Sequence, residues 1–211
     1  MKRLLIIPIL HGGEEMGSLS EAFGEIAESL IGSDERRQLQ QAIAELWSRI
    51  ESFSTSVLAH ADPDRLLLYQ DGLPVGGRRG EEILRDGARK GIRNHILLLT
   101  LIDRGARLMA TEDAELLRKE YHLDRDLISR FDPDSYDETL RTIAEETKKL
   151  TDERDRAIGR EIAATLSDGE IGLLYIGAAH EVQRYLPSDI TWKTYRRGEE
   201  EALLEWLSGR D

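Results

Sequence analysis

Four side chains suited to catalysis or metal binding follow hydrophobic segments of this sequence, each at the point where a predicted strand ends. The segments are 3–10, 65–69, 106–111 and 172–176, and the residues that follow them are His11, Asp71, Glu112 and His180. Because the carboxyl ends of parallel strands meet at one edge of a sheet, where α/β proteins bind ligands, we expect these side chains to converge. Two imidazoles and one or two carboxylates would bind Zn²⁺, Mn²⁺ or Co²⁺, and such an ion can activate water and polarise a carbonyl or phosphoryl group.

Each of these residues also has a purely structural interpretation. His180 can fill the turn of Gly177-Ala178-Ala179-His180, Asp71 belongs to an Asp-Gly turn, and Glu112 or Asp113 can stabilise the first turn of a helix. Without a metal, His11 or His180 could act as a general base oriented by a carboxylate. The sequence has no Gly-x-Ser-x-Gly motif, so serine hydrolase chemistry has little support.

Two arginines are candidates for anion binding. Arg154 falls on the buried stripe of a long helix predicted from 136 to 166, with Asp155 at the margin of the stripe. A buried arginine is seldom unpaired, so Arg154 is either a clamp for a substrate oxyanion or half of an ion pair with Asp155 or another acid. Arg78 lies in the glycine-rich segment 75–80, which could bind an anion but matches neither a dinucleotide fingerprint nor a P-loop.

Composition narrows the class of protein. The chain has 211 residues, 40% hydrophobic and 33% charged, with a net charge of −12 and no cysteine. Disulfides, thiolate catalysis and cysteine metal ligands are excluded, and the acidic balance argues against nucleic-acid binding. The apolar start of the chain is short, contains Pro8 and lacks a cleavage site, so we interpret it as a strand rather than a signal peptide. No segment reaches membrane-spanning length, and the expected location is cytoplasmic.

Hydrophobic periodicity predicts a single α/β domain over residues 1–211. Apolar runs alternate with helical patterns, which is typical of a mostly parallel sheet of about five strands with helices on both faces. A helical hairpin is predicted at about 18–60, after the first strand, and one helix is predicted from 81 to 104. The segment 190–195 alternates as a half-exposed edge strand does, and an amphipathic helix closes the chain at 199–207.

The order of these motifs resembles the TraB/Tiki superfamily, whose wider circle includes erythromycin-esterase-like and ChaN-like proteins. The resemblance is carried by Glu153-Arg154-Asp155-Arg156-Ala157-Ile158 and by Gly177-Ala178-Ala179-His180 at a later strand end. His11, Glu112, Arg154 and His180 match the family's elements in order, although Pro8-Ile9-Leu10-His11 departs from its early Gly-x-x-His motif. The resemblance implies an α/β fold with a site at the strand ends and, for Tiki-like members, metal-dependent hydrolysis that includes proteolysis.

Three functions follow from these patterns. The first is a metal-assisted hydrolase of a peptide, ester or related acyl substrate, with His11, Glu112 and His180 as ligands or acid/base groups, Asp71 as a further ligand and Arg154 as the oxyanion clamp. The second is a non-catalytic sensor that binds a small anion through Arg154 and Arg78. The third is an interaction protein that uses the helical hairpin. With each of the three functions the protein could form a homo-oligomer, and neither nucleic acid nor membrane is expected as a partner.

Overall fold

The computed structural model describes residues 1–10, 32–130 and 136–209, with side chains described for all of these except 33 and 136–143. The strands are β1 (Lys2–Ile9), β2 (Leu66–Gln70), β3 (Arg107–Leu108), β4 (Ile171–Gly177) and β5 (Ile190–Thr194). The helices are α1 (Ser33–Val57), α2 (Gly77–Arg89), α3 (Arg93–Ile102), α4 (Ala114–Ser129), α5 (Tyr136–Thr165) and α6 (Glu200–Ser208). Two 3-10 turns lie at Pro63–Arg65 and Val182–Tyr185.

The five strands form one parallel sheet in the order β3-β2-β4-β1-β5. Parallel neighbours need crossover connections, and the helices between the strands provide them. This confirms the predicted α/β class and the strand number. Among the described strands β5 pairs with β1 alone, as expected of an edge strand. The missing N–H of Pro8 costs no ladder bond there, since the pairing with β5 ends at Ile6.

Both faces of the sheet are buried, and alternate residues of each central strand enter different cores. In β4, Leu173 and Tyr175 pack with α1, α2, α3 and α6, whereas Leu174 and Ile176 pack with the carboxyl-terminal half of α5. This explains why the central strands are continuous apolar runs rather than alternating ones. Each fully buried leucine contributes about 1.5–3 kcal/mol to the stability of the fold. The two cores therefore hold the sheet in place, together with the edge at which the site lies.

The structure corrects three predicted elements. The helix predicted from 81 to 104 is divided into α2 and α3, because Gly91 adopts a φ of +85° and the N–H of Ile92 bonds back to the carbonyl of Gly87. The strand predicted at 106–111 is reduced to β3, and among the described side chains of α5, residues 144–165, the buried ones begin at Arg154. Of the predicted hairpin at about 18–60, α1 is present, and the first helix lies outside the described residues.

The loop between β2 and α2 passes very close to the end of β3. A Cβ atom added to Gly76 would lie 2.6 Å from the backbone nitrogen of Ala110 and 2.8 Å from the carbonyl carbon of Met109. Only glycine permits this approach, which holds the loop after β2 beside the residues that follow β3. None of the helices described in the structure combines the length and apolar character needed to cross a bilayer.

Candidate active site

A cleft of about 740 Å³ opens at the carboxyl edge of the sheet. The strand ends, α3, α4 and α5 each contribute to its wall. The polar and charged side chains that line it include Gln70, Asp71, Asn94, Glu120, Asp124, Arg154 and His180. The sheet edge on which sequence analysis placed the candidate residues is therefore the edge that carries a cavity.

Arg154 is the centre of a buried charge cluster at the base of this cleft. The residue is 4% exposed and faces Glu112 with two donors, Nη2 to Oε1 at 2.5 Å and Nε to Oε2 at 3.3 Å. Nη2 also donates to Oδ1 of Asp71 at 2.6 Å, and Nη1 donates to Glu120. Three carboxylates thus share one guanidinium, whose planar fork of donors suits this arrangement. The surrounding acids raise the pKa of Arg154 despite its burial, so it stays charged.

Glu112 is the most deeply buried acid of the cluster, with a side chain that is 0% exposed. It directly precedes Asp113, the residue that caps α4 by accepting the N–H groups of Glu115 and Leu116. Burial raises the pKa of Glu112 above its ordinary value, and the hydrogen bonds and charge of Arg154 oppose that rise. Glu112 contacts Arg154 without lining the cleft itself. Its place in the structure is that of a counter-ion to the guanidinium.

Asp71 ties the ends of β2 and β4 together. Its backbone N–H donates to the carbonyl of Tyr175 at 2.9 Å, which extends the ladder between the two strands by one bond. Its Oδ2 accepts the N–H of Gly177 at 2.8 Å, while Oδ1 faces Arg154. The same Oδ2 lies 3.9 Å from Nε2 of His180. Asp71 therefore stands between the guanidinium and the imidazole.

His180 is oriented by a buried carboxylate on α5. Its Nδ1 lies 2.5 Å from Oδ1 of Asp155, whose other oxygen accepts the backbone N–H of Glu181 at 2.7 Å. Asp155 is 3% exposed and the side chain of His180 is 6% exposed. Because the carboxylate can only accept, Nδ1 carries the proton and Nε2 is left as the basic nitrogen on the side of Asp71. This is the geometry of an oriented general base or of a metal-binding histidine.

The structure brings together four of the residues that the sequence singled out: Asp71, Glu112, Arg154 and His180. It does not bring Arg78 to them, since that side chain is 92% exposed on α2 and faces Glu82 at 3.5 Å. His11 lies outside the described residues, although Leu10 before it lines the cleft.

Several residues of the site were missed or misplaced by sequence reasoning. Asp155 was considered only as a partner for Arg154, but adjacent helical residues point about 100° apart, and the structure pairs Asp155 with His180. Glu120 and Asp124 lie one turn apart on α4, where they could have been read as a solvated face. The spacing of four residues was the one available signal that both share a side of the helix.

A second polar chain runs from α3 to the end of β2. The Nδ2 of the buried Asn94 donates to Oε1 of Gln70, and Nε2 of Gln70 donates to the backbone carbonyl of Asp71 at 2.9 Å. The carbonyl can only accept, so it fixes the orientation of both amides. Within the described part of the chain, Asn94 Oδ1 then has no hydrogen-bond partner.

A divalent ion fits this site only in part. In the part of the chain that the structure describes, no group of three or more His, Cys, Asp or Glu side chains could hold a metal. His180 Nε2 and Asp71 Oδ2 are a plausible pair of donors, and the Asp155 contact is the support that metal-binding histidines have. A third protein ligand would have to come from outside the described residues, and His11, which follows Leu10, is the predicted one.

The chain matches no family model, no curated protein and no solved structure. The resemblance to the TraB/Tiki superfamily therefore stays a prediction, and the functional argument depends on the geometry of the cleft.

Proposed function

We propose that this protein is a hydrolase of a peptide, ester or related acyl substrate, with its active site in the cleft at the carboxyl edge of the sheet. The observation that supports this most directly is the buried Asp155–His180 pair, which leaves Nε2 of the imidazole basic at the cleft. The predicted kinship with TraB/Tiki proteins agrees with this proposal and is part of it.

In the proposed reaction, His180 accepts a proton from water at Nε2 while the water oxygen attacks the carbonyl carbon of the substrate. The imidazolium then delivers that proton to the leaving oxygen or nitrogen as the acyl bond breaks. Asp155 holds the ring in one tautomer and stabilises its positive charge through the bond to Nδ1. A positioned base of this kind contributes about 10²–10⁴ to the rate.

Asp71 and Arg154 have supporting roles in this scheme. Asp71 lies 3.9 Å from Nε2, close enough to hold a water against the imidazole. Arg154 holds Asp71 and Glu112 in place. Because three carboxylates already share its charge, little of that charge is available to a substrate oxyanion. In this scheme Arg154 positions the two acids instead of acting as the predicted oxyanion clamp.

A divalent ion, when bound, would polarise the substrate carbonyl and lower the pKa of a bound water. His180 and Asp71 would hold it, with His11 as the predicted additional ligand. Asp155 would then serve as the group that orients the ligating imidazole.

The alternative function, a sensor for small anions, has less support in this geometry. An anion entering the cleft would meet Asp71, Glu120 and Asp124 around a single guanidinium. Arg78, the other predicted anion-binding residue, is exposed and does not line the cleft. The third function, an interaction protein, depends on the predicted helical hairpin. The segment predicted as its first helix lies outside the described residues.

The test is hydrolysis of a panel of p-nitrophenyl esters and peptide p-nitroanilides, with the untreated protein and after supplying Zn²⁺, Mn²⁺ or Co²⁺. His180→Ala should lower kcat/KM by about 10²–10⁴. Asp155→Asn should also lower it and alter the pH profile, because the amide has one acceptor oxygen for two N–H groups. When that oxygen accepts the N–H of Glu181, the NH2 faces Nδ1 and selects the wrong tautomer of the ring. His60→Ala is the matched control, since His60 bonds to the carbonyl of Ser56 and does not line the cleft.

Metal content, measured by elemental analysis of the same preparations, separates the two forms of the mechanism. Metal that is lost in His180→Ala and retained in His60→Ala supports the metal-assisted form. Hydrolysis without bound metal supports His180 as a free base. A parent protein inactive on the whole panel, or equal activity in the parent and His180→Ala, would refute the proposal.

A further inference from the structure

The described walls of the cleft carry more negative than positive charge. Arg154 is the only arginine or lysine among the described residues that line it, and Glu112, Asp71 and Glu120 already share it. Asp124 also lines the cleft, and its carboxylate forms no ion pair or hydrogen bond with another described side chain. Burial, followed by the neighbouring charge of Glu120, raises the pKa of Asp124 to about 6. The charge of Arg154 opposes this rise, but no described side chain forms an ion pair with the Asp124 carboxyl, which is ionised at neutral pH.

A second observation from another wall also points to a missing donor. Asn94 is 1% exposed and lines the cleft, and no described residue forms a hydrogen bond with its Oδ1. A buried acceptor left in this state costs about 1–3 kcal/mol, so native structures rarely retain one without a function. The Asn94 amide cannot flip to give its Oδ1 a partner, because its Nδ2 donates to Gln70, whose own amide is oriented by the carbonyl of Asp71.

Apolar side chains line the cleft alongside its polar groups. Ile83 lies on α2, Ile92 directly precedes α3, and Leu117 and Tyr121 lie on the same helix as Asp124. Such surfaces accommodate a hydrocarbon or aromatic stem, with the polar groups fixing the orientation of its end.

We propose that the cleft recognises a primary ammonium group on a short apolar stem, with Asp124 as its counter-ion and Asn94 as a further acceptor. As a statement about substrates, this rests on the proposed hydrolase and makes amine-bearing acyl compounds the preferred class. The binding itself does not depend on turnover.

The arrangement favours an organic cation over a metal ion at this position. A metal needs several donors converging on one point, and the described residues contain no such group of three. An ammonium nitrogen needs fewer acceptors than a metal, and one from each wall, Asp124 on α4 and Asn94 on α3, would be enough to pair with it.

The experiment measures binding of benzylamine, benzyl alcohol and benzoate to the full chain by ligand-observed NMR at about pH 7.5, with EDTA present. Benzylamine should bind at least about tenfold more tightly than either neutral or anionic analogue, as expected for a charge-assisted hydrogen bond. Asp124→Asn should weaken benzylamine about tenfold and leave benzyl alcohol unchanged. Asn94→Leu, of similar shape, should weaken benzylamine as well.

Asp126→Asn is the matched control, because Asp126 lies on the same helix, is exposed and pairs with Arg130. It should bind benzylamine as the parent does. If Asn94→Leu does not fold, Asp124→Asn decides by itself. Equal affinity for benzylamine and benzyl alcohol, an unchanged affinity in Asp124→Asn, or no binding of benzylamine in the presence of EDTA would each overturn the inference. Benzylamine binding without any hydrolysis would refute the proposed function and leave this inference standing. Hydrolysis without benzylamine binding would refute this inference and leave the proposed function standing.

Discussion

Replacing Arg154 by methionine removes the guanidinium that donates to Glu112, Asp71 and Glu120 and keeps most of the side-chain volume. Glu112 would keep no cation within hydrogen-bond distance in the described residues, with its side chain fully excluded from solvent. Breaking a buried ion pair in this way costs about 3–5 kcal/mol, because an uncompensated charge is left behind.

The cost for Glu112 has an upper limit, since the carboxyl can take up a proton instead of staying charged. Its ordinary pKa is 4.5, and pH 7 lies about 2.5 pH units above that value. At about 1.36 kcal/mol per unit, protonation costs about 3.4 kcal/mol at pH 7 and only about 0.7 kcal/mol at pH 5. The loss of stability in Arg154→Met should therefore be about 3 kcal/mol at pH 7 and fall steeply toward pH 5.

The assay is urea unfolding followed by circular dichroism at both pH values, for Arg154→Met, Glu112→Gln and the double variant. The double variant should be more stable at pH 7 than Arg154→Met alone, because the neutral amide needs no counter-ion. Arg156→Met is the control, since Arg156 is exposed on the same helix and faces Asp152, and its midpoint should scarcely change. An equal loss at pH 5 and pH 7, or a double variant no better than the single one, would refute this account of the cluster.

Two further predictions concern other parts of the fold. Asp124→Asn should raise the free energy of unfolding by about 1 kcal/mol at pH 7.5, a figure reduced for the partial exposure of the side chain. Because the folded-state pKa of Asp124 is raised from 3.8 to about 6, the ionised carboxyl destabilises the protein above pH 6, and the advantage of asparagine should vanish by about pH 4. A constant advantage across this range in thermal unfolding would contradict the assignment. Gly76→Ala should cost about 2 kcal/mol, since its methyl group would lie 2.6 Å from the nitrogen of Ala110 although the backbone angles suit alanine. Gly32→Ala, whose new atom would meet nothing closer than 3.5 Å, is the control, and equal urea midpoints for the two variants would show that the loop yields freely.

The architecture was largely predictable because burial leaves a local signature. A strand covered on both faces is apolar along its central part, and β1, β2 and β4 are of this kind, although β1 begins with Lys2 and Arg3 and β2 ends with Gln70. The division of the helix predicted from 81 to 104 was less predictable. A glycine inside a helical pattern is compatible with either a continuous helix or a left-handed turn, and packing selected the turn at Gly91.

The candidate site was predictable in its location and only partly in its members. Parallel strands guarantee that residues after their carboxyl ends share an edge, and this brought Asp71, Glu112 and His180 together. Arg154 was identified through its place on a buried stripe, but the stripe does not say which acids face it. Glu120 and Asp124 belong to α4, whose approach to α5 is a tertiary contact that no local pattern records.

By itself the sequence determined a parallel α/β sheet, the edge at which a site would form, and the residues that the strands deliver there. These follow from periodicity and strand direction, which are properties of neighbours along the chain. Only the tertiary structure decided that Asp155 orients His180 and that three carboxylates occupy Arg154. The physical reason is that an ionisable side chain takes its function from the charges within a few ångströms, and here those charges come from segments up to 83 residues away.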